Sequence, residues 1–379
     1  MTKRQLIVVF ALLALCLPRV SLAAGNNNSQ KNTGDLNRLN QIARDQQADL
    51  EQRSLLLQDA DLDRYLTELA QKLWANTHSE LPPIQIRVVR HPAPDAYMYP
   101  NGVCYLHTGL LANLENEDQL AMAIAHEMIH YLRQHTLLAY QSSLQGSRSY
   151  LLNDTQHKNT FDHQGRSLAD LLQSTELQAD REGLALIAAA GYRSSESIGL
   201  LNILKSITDD QETKAASKST KPILNHRLEQ LRLAIANQRY PAPANSQKIV
   251  AGTDFYVAIL PSILANARAA SQMGDWEIAR HDIERYIRFR PDEPGAYCLR
   301  GEIFYKSAAN GQHDKALASF DRAIALNRQY APAYRAMGLI YFKAGHMEKA
   351  RNYLQAYIDI APESAEKKYI HKYLSLCND

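Results

Sequence analysis

Two histidines and a glutamate lie close together in the stretch His126-Glu127-Met128-Ile129-His130. If this stretch is helical, His126 and His130 project from one face about one turn apart, so their ring nitrogens can converge on a single metal ion. Glu127 lies beside them, where its carboxylate can hold a metal-bound water. The types and the spacing of these residues therefore predict a hydrated metal site.

The sequence around this motif has the features of a buried helix. Asn116 precedes two acidic residues and Gln119, which resembles a capping box with acids in the first turn, where free N–H groups and the helix dipole favour negative charge. Residues 120–129 then leave almost no polar face, and such a helix is normally buried. Buried histidines and a buried glutamate need polar partners, and a coordinated cation with its water can satisfy all three.

A second helical pattern offers further groups to this site. Glu176, Asp180 and Gly183 share one helical face at i, i+4 and i+7. They offer a third ligand, a carboxylate behind the ligands and room for close helix packing. An acidic helix face is ordinarily only solvated, so this interpretation depends on the first motif.

The two motifs together, His126-Glu127-x-x-His130 and Glu176-x-x-Ala179-Asp180, resemble a zinc metallopeptidase family of the gluzincin type. This family includes the CAAX prenyl endopeptidases, the heat-shock membrane proteases and periplasmic proteases that carry tetratricopeptide repeats. Residues 95–111 are similar to the edge strand and following turn of that family. The resemblance covers roughly residues 60–240 and the C-terminal repeats.

The resemblance implies an endopeptidase with one Zn²⁺ per chain. His126, His130 and Glu176 would bind the metal and leave a fourth position for water. Glu127 would take a proton from that water and deliver it to the leaving amine. Asp180 would orient a ligand histidine.

The segment from Lys221 to Arg227 contributes an arginine to the site. It also leaves undecided whether a further histidine binds the metal. Relatives commonly carry His-Pro a few residues before Arg-Leu or Arg-Ile, and Lys221 takes that histidine position here. His226 is either a substitute metal ligand or an ordinary histidine at a helix start. Arg227 matches the family's arginine and would steady the carboxylates of the site. The oxyanion-stabilising group stays open, with Tyr131, His226 and Arg227 as candidates.

The N-terminus has the pattern of a secretory signal peptide over residues 1–24. A basic start precedes an apolar run at residues 6–17 and small residues, with cleavage near Ala23 or Ala24. The run is short for a membrane span, although an uncleaved anchor is the alternative. We expect export to the bacterial periplasm, with a disordered lead-in over residues 25–34.

Hydropathy patterns predict a mainly α fold with a small β-sheet. His91 and His107 are assigned to surface or strand packing, not to metal binding. In the family, the edge strand binds the substrate backbone as an added β-strand, and a purely structural sheet is the alternative. The expected elements are helices near residues 36–57, 62–76, 168–190 and 195–208, a strand at 84–89 and two short strands within 95–108.

Two polar stretches and three cysteines leave further alternatives. Residues 136–168 are either a lid over the cleft or a mobile loop without that role, and residues 209–221 are predicted to be a flexible connection. Without the signal peptide, Cys104, Cys298 and Cys377 remain. Cys298 and Cys377 could pair in an oxidising compartment.

The C-terminal third is predicted to be a tetratricopeptide α-solenoid. Tyr297 and Tyr334 occupy equivalent positions 37 residues apart, which is the roughly 34-residue period with an insertion around residues 308–312. A final helix near residues 365–376 would cap the stack. We therefore expect a zincin-like metallopeptidase domain over residues 35–240 and a repeat domain over residues 255–379.

The predicted function is that of a zinc-dependent periplasmic endopeptidase. The formal net charge is +2, without a basic stripe, so we expect protein or peptide partners and no nucleic acid. The resemblance implies quality control of unfolded or misassembled outer-membrane proteins, with the repeats docking the assembly machinery. The alternatives are a chaperone or adaptor with a structural or vestigial metal site, and a hydrolase of a non-peptide bond.

Overall fold

A computed structural model describes residues 28–151, 168–210, 215–237, 253–307 and 313–377. The chain divides into two compact units between Ser262 and Ile263. The expected signal peptide lies outside the described residues. Within them, every helix is too short or too polar to span a bilayer.

The first unit combines helices with a small sheet, and the second is helical. In chain order, the elements of the described residues are α1 (Asn28–Gln52), β1 (Leu56–Leu57), α2 (Ala60–Trp74), β2 (Gln85–Val89), β3 (Ala96–Met98), β4 (Val103–His107), α3 (Thr108–Asn113), α4 (Glu117–Leu132), α5 (His135–Leu151), α6 (Leu168–Ala189), α7 (Glu196–Asp210), α8 (Ala215–Ala236), α9 (Thr253–Met273), α10 (Trp276–Phe289), α11 (Pro294–Ser307), α12 (Asp314–Leu326), α13 (Ala331–Lys343), α14 (Met347–Ile360) and α15 (Lys367–Leu376). This confirms the mainly α fold with a small sheet.

The sheet has four strands in the order β1-β2-β4-β3. Strand β2 runs parallel to β4, and β3 pairs antiparallel with β4, with Tyr97 opposite Tyr105. The two short strands expected within residues 95–108 are therefore present, and β3 lies at the edge. The expected helix through Leu57 is wrong at its end, because α1 stops at Gln52 and Leu56 pairs with Val89.

Helix α1 corrects the expected disordered lead-in. It begins at Asn28, so residues 28–34 are helical, and residues 25–27 lie outside the described part. Leu39 and Ala43, one turn apart, are 2% and 1% exposed. Because these two residues are packed, the polar turns before them continue a helix that is already anchored.

Both polar stretches also contain more helix than their composition indicates. Residues 136–151 belong to α5, in which Leu137 and Tyr140 pack against Leu39 of α1. Residues 209–210 end α7 and residues 215–221 begin α8, whose later residues Leu224 and Leu228 are buried. Tertiary contacts of a few apolar residues outweigh the polar composition in both segments. The rest of the segment predicted to be a lid or a mobile loop (152–167) and of the predicted connection (211–214) lies outside the described residues.

Helix α4 is fixed at its N-terminus by side chains. The Asn116 side chain accepts a hydrogen bond from the Gln119 backbone N–H at 3.0 Å, as the capping pattern predicted. The Glu117 carboxylate accepts hydrogen bonds from the Tyr65 and Tyr192 hydroxyls at 2.8 and 2.9 Å. These contacts hold the start of α4, which carries the histidine motif, against its neighbours.

The second unit is the expected repeat array. Helix α11 packs on α12, and α13 packs on α14. A Cβ at Gly301 would lie only 2.6 Å from the Phe320 ring, so a small residue lets this helix pair approach closely. The final helix Lys367–Leu376 is close to its predicted position, whereas the expected insertion at residues 308–312 lies outside the described residues.

The pairing of Cys298 with Cys377, which the sequence left open, is not found. Cys104, Cys298 and Cys377 are each free and buried. Cys298 lies within α11, whereas Cys377 follows α15, four helices later. Shared membership of the repeat unit therefore does not bring their sulfurs together.

One tight contact next to the sheet can be tested by substitution. A Cβ at Gly109 would lie 2.1 Å from the Pro92 carbonyl oxygen, whereas a Cβ at Gly34 would meet nothing within 4 Å. We expect Gly109→Ala to cost about 1–3 kcal/mol of unfolding free energy, and Gly34→Ala to gain up to about 1 kcal/mol. Urea denaturation followed by Trp74 fluorescence in a Trp276→Phe background measures both. Equal midpoints for the two variants would contradict the packing described here.

Candidate metal centre

Helices α4 and α6 bring the three predicted ligands together. His126 Nε2 lies 3.1 Å from His130 Nε2. The Glu176 carboxylate lies 3.4 Å from each of these nitrogens, through Oε2 to His126 and Oε1 to His130. These ligand atoms all lie within 4.8 Å of one another, as the two helical spacings predicted.

The close approach of the two helices depends on a glycine. A Cβ at Gly183 would lie 3.3 Å from the His126 backbone nitrogen. A larger side chain at this position of α6 would push α4 away and separate Glu176 from the histidines. Gly183 therefore has the packing role that its i+7 spacing indicated.

The three side chains fit a zinc ion. Two imidazole nitrogens and two carboxylate oxygens face one another in a buried site, and this set supplies more lone pairs than protons. Burial lowers the pKa of His130, which favours the neutral ring that binds metals. Two histidines and a glutamate are also a donor set of catalytic zinc sites.

Arg227 from α8 connects the carboxylates behind these ligands. Its Nε and Nη2 donate to the two Asp180 oxygens at 2.7 Å each, and its Nη1 donates to Glu176 Oε2 at 2.8 Å. Asp180 Oδ1 in turn lies 3.0 Å from His126 Nδ1. Asp180 and Arg227 therefore lie directly behind the ligand side chains, and all of these side chains are buried.

The same contacts keep both carboxylates ionised. Burial alone would raise the pKa of Glu176, but Arg227 and the two histidines outweigh it and hold that pKa at about 2. Burial also opposes ionisation of Asp180, yet Arg227 and His126 hold its pKa well below the usual value. An ionised Glu176 can bind a cation, and an ionised Asp180 can accept a proton from His126.

Glu127 has a different environment from the other carboxylates. It is buried beside His126, and none of the described residues donates a hydrogen bond to its carboxylate. Burial, opposed by the His126 charge and reinforced by the charges of Glu176 and Asp95, raises the pKa of Glu127 to about 7. A carboxylate with such a pKa can both take and return a proton near neutral pH.

The other candidates from the sequence lie in different surroundings. Tyr131 packs over the β3–β4 turn, where a Cβ at Gly102 would lie 3.3 Å from its hydroxyl oxygen. His226 lies inside α8 and not at its start, and the structure does not describe the Lys221 side chain. His107, in strand β4, has its Nδ1 3.1 Å from a backbone carbonyl oxygen.

His135 was missed by the sequence analysis. Its Nδ1 lies 3.1 Å from His130 Nδ1, and the side chain is buried. The available signal was a third histidine five residues after the second. Helical spacing does not place residues i and i+5 side by side, so the contact depends on a turn that the sequence did not reveal.

The Arg227 contacts predict a large effect on the metal-free protein. In Arg227→Met, Glu176 and Asp180 stay buried without their cation, and we expect a loss of about 3–5 kcal/mol in unfolding free energy. Arg53→Met is the matched control, since Arg53 is 63% exposed in its pair with Asp49 and should cost at most about 1 kcal/mol. Denaturation with EDTA present measures both, and equal losses would contradict this account.

The depressed pKa of Glu176 also predicts a pH dependence. Its folded value of about 2 lies below the usual 4.5, so its contribution is complete above the usual value and is lost as the pH falls towards 2. In EDTA, the urea midpoint of the wild type should therefore fall more steeply below about pH 4.5 than that of Arg227→Met. Parallel pH profiles of the two proteins would show that Arg227 does not hold this carboxylate ionised.

Comparison with known proteins identifies both units. Residues 57–235 match the model of Peptidase family M48, and residues 264–307 and 303–374 match tetratricopeptide repeat models. The chain is 25% identical over 212 residues to the Beta-barrel assembly-enhancing protease of Yersinia pestis (51% of this chain, 43% of the relative) and 24% identical over 221 residues to that of Escherichia coli strain K12 (54% and 44%). It is also 27% identical over 168 residues to the Mitochondrial metalloendopeptidase OMA1 of Saccharomyces cerevisiae (41% and 49%).

The matched part spans less than half the length of each of these relatives. The family matches confirm the resemblance seen in the motifs and the repeats. The chain therefore contains a peptidase family M48 domain followed by tetratricopeptide repeats.

Proposed function

We propose that the chain is a zinc-dependent endopeptidase that hydrolyses peptide bonds in unfolded or misassembled proteins. The observation that carries this proposal is the convergence of His126, His130 and Glu176 within 4.8 Å, with the buried Glu127 beside them. A site of this composition binds a metal through three protein ligands and has room for a reacting molecule.

A bound zinc ion and Glu127 would have separate roles in peptide hydrolysis. A bound zinc ion supplies a Lewis acid that polarises the scissile carbonyl and makes water more acidic. Glu127 takes the proton of the attacking water on its carboxylate and later delivers it to the leaving amine nitrogen. The N–C bond breaks as the nitrogen gains that proton, so the free acid and the free amine leave.

Asp180 and Arg227 prepare the ligands for this role. Asp180 Oδ1 lies 3.0 Å from His126 Nδ1, where it can take the proton of that nitrogen and leave Nε2 as the lone-pair donor towards Glu176 and His130. Arg227 compensates the buried charges of Asp180 and Glu176 through three hydrogen bonds. The ligand geometry therefore exists before substrate binds, which lowers the reorganisation needed for reaction.

The sheet supports recognition of an extended substrate. Strand β3 pairs with β4 on one side and forms the edge of the sheet on the other. A substrate segment can add to this edge through backbone hydrogen bonds, which are independent of side-chain identity. Such binding requires unpaired, extended chain, and unfolded or misassembled proteins offer it.

The repeats and the relatives support the wider setting. Tetratricopeptide helices stack into surfaces that bind proteins, so the second unit would dock a partner. The beta-barrel assembly-enhancing proteases among the relatives, together with the signal-like residues 1–24, support a periplasmic role on outer-membrane proteins. A chaperone or adaptor with a vestigial metal site is the competing function, and Glu127 argues against it because a structural site needs no general base.

Glu127→Gln tests the proposal with little change in shape. Wild type should hold about one zinc per chain and cleave reduced, unfolded casein. The variant should hold the same zinc and lose at least about 100-fold in cleavage rate, because its amide cannot accept the proton. Zinc content by elemental analysis and cleavage by gel densitometry measure the two properties.

Glu68→Gln, on the exposed face of α2, is the matched control and should cleave like wild type. Zinc-bearing wild type without cleavage would favour the adaptor. Cleavage by Glu127→Gln at the wild-type rate would remove Glu127 from the mechanism.

A further inference from the structure

His135 is held against His130 by an unusual backbone turn. Helix α4 ends at Leu132, and Gln134 then adopts φ of +52°, a left-handed conformation that a residue with a side chain adopts only at some energetic cost. After this turn, His135, the first residue of α5, lies against His130 in the last turn of α4. The two rings meet nearly edge to face, with centroids 4.9 Å apart.

The contact joins the outer sides of the two rings. His130 directs Nε2 towards His126 and Glu176. Its other nitrogen, Nδ1, lies 3.1 Å from His135 Nδ1. His135 is therefore placed behind His130 and does not belong to the converging ligand atoms.

The hydrogen-bond partners fix the direction of each proton. A neutral His130 whose Nε2 lone pair faces the ligand set carries its proton on Nδ1 and donates it to His135 Nδ1. His135 then carries its own proton on Nε2, which lies 3.3 Å from Gln178 Oε1. An acceptor is needed at that point, and the amide oxygen of Gln178 supplies it.

The orientation of Gln178 is set independently of the histidines. Its Nε2 donates to Glu182 Oε1 at 2.9 Å, and Glu182 Oε2 accepts from Arg133 Nε at 2.7 Å. The Glu182 carboxylate can only accept hydrogen bonds, so Gln178 turns its amide NH2 group towards Glu182. The amide oxygen of Gln178 must therefore point at His135. Every donor in the series His130, His135, Gln178, Glu182 and Arg133 therefore meets an acceptor.

We propose that His135 is a positioning residue that fixes the tautomer and the ring orientation of His130 for zinc binding. The inference rests on the proposed metal site, which it extends. Asp180 has the same relation to His126, so each ligand histidine is oriented by a partner from another element. The Gln178–Glu182–Arg133 series anchors His135 to α6, the helix that carries Glu176.

Zinc affinity of the full chain tests this role without reference to catalysis. His135→Leu removes the acceptor, whereas His135→Asn keeps a carbonyl oxygen near the position of Nδ1. We expect His135→Leu to weaken zinc binding about 10- to 100-fold in competition with a fluorescent chelator. His135→Asn should stay within about threefold of wild type, because its amide oxygen restores the acceptor. His371→Leu, at an exposed histidine of α15, should bind like wild type.

Cobalt absorption gives a second readout. The visible bands of the Co²⁺-loaded His135→Leu protein should differ from those of wild type, and those of His135→Asn should match. If His135→Leu does not fold, Gln178→Leu replaces it and should weaken zinc binding in the same direction by a smaller factor.

The outcomes separate this inference from the proposed function. Wild-type zinc affinity in His135→Leu, or equal weakening in the leucine and asparagine variants, would overturn the positioning role while leaving the metal site in place. Absence of zinc binding by wild type would overturn both.

Discussion

The structure depends on one buried charge arrangement, the contact of Arg227 with Asp180 and Glu176. Two carboxylates in a buried site are costly unless a cation and directed hydrogen bonds compensate them. Arg227 provides three such bonds, and its planar guanidinium fixes the directions of both carboxylates. Glu176 can then face the histidines, and Asp180 can orient His126. Arg227 of α8 thus binds the two carboxylates of α6, and these carboxylates face the histidines of α4.

The packing of the surrounding helices also holds the residues of the site in place. Helix α4 is buried on nearly all sides, so its two histidines have little freedom to leave the site. Gly183 lets α6 approach the α4 backbone, and the turn at Gln134 places His135 behind His130. The second unit uses the same principle, with small residues such as Gly301 allowing helices to pair.

The sequence predicted those features that follow from the spacing of residues within a single helix. The i, i+4 histidines, the i, i+4, i+7 set on α6 and the Asn116 cap each follow from helix geometry over a few residues, and the structure shows each of them. Arg227 could be placed only by resemblance, since 47 residues separate it from Asp180. The two-residue strand β1 and the polar helix α5 depend on pairing with Val89 and packing on Leu39, and no local pattern encodes those distant contacts. His135 needs a left-handed glutamine, which sequence patterns do not predict.

The central claim is that two histidines and a glutamate hold one zinc ion. X-ray absorption at the zinc edge of the purified full chain tests it most directly. We expect a nitrogen and oxygen shell at about 2.0–2.1 Å, with the multiple-scattering signal of two imidazole rings. A sulfur shell near 2.3 Å, or a shell without imidazole scattering, would contradict the assignment of His126, His130 and Glu176.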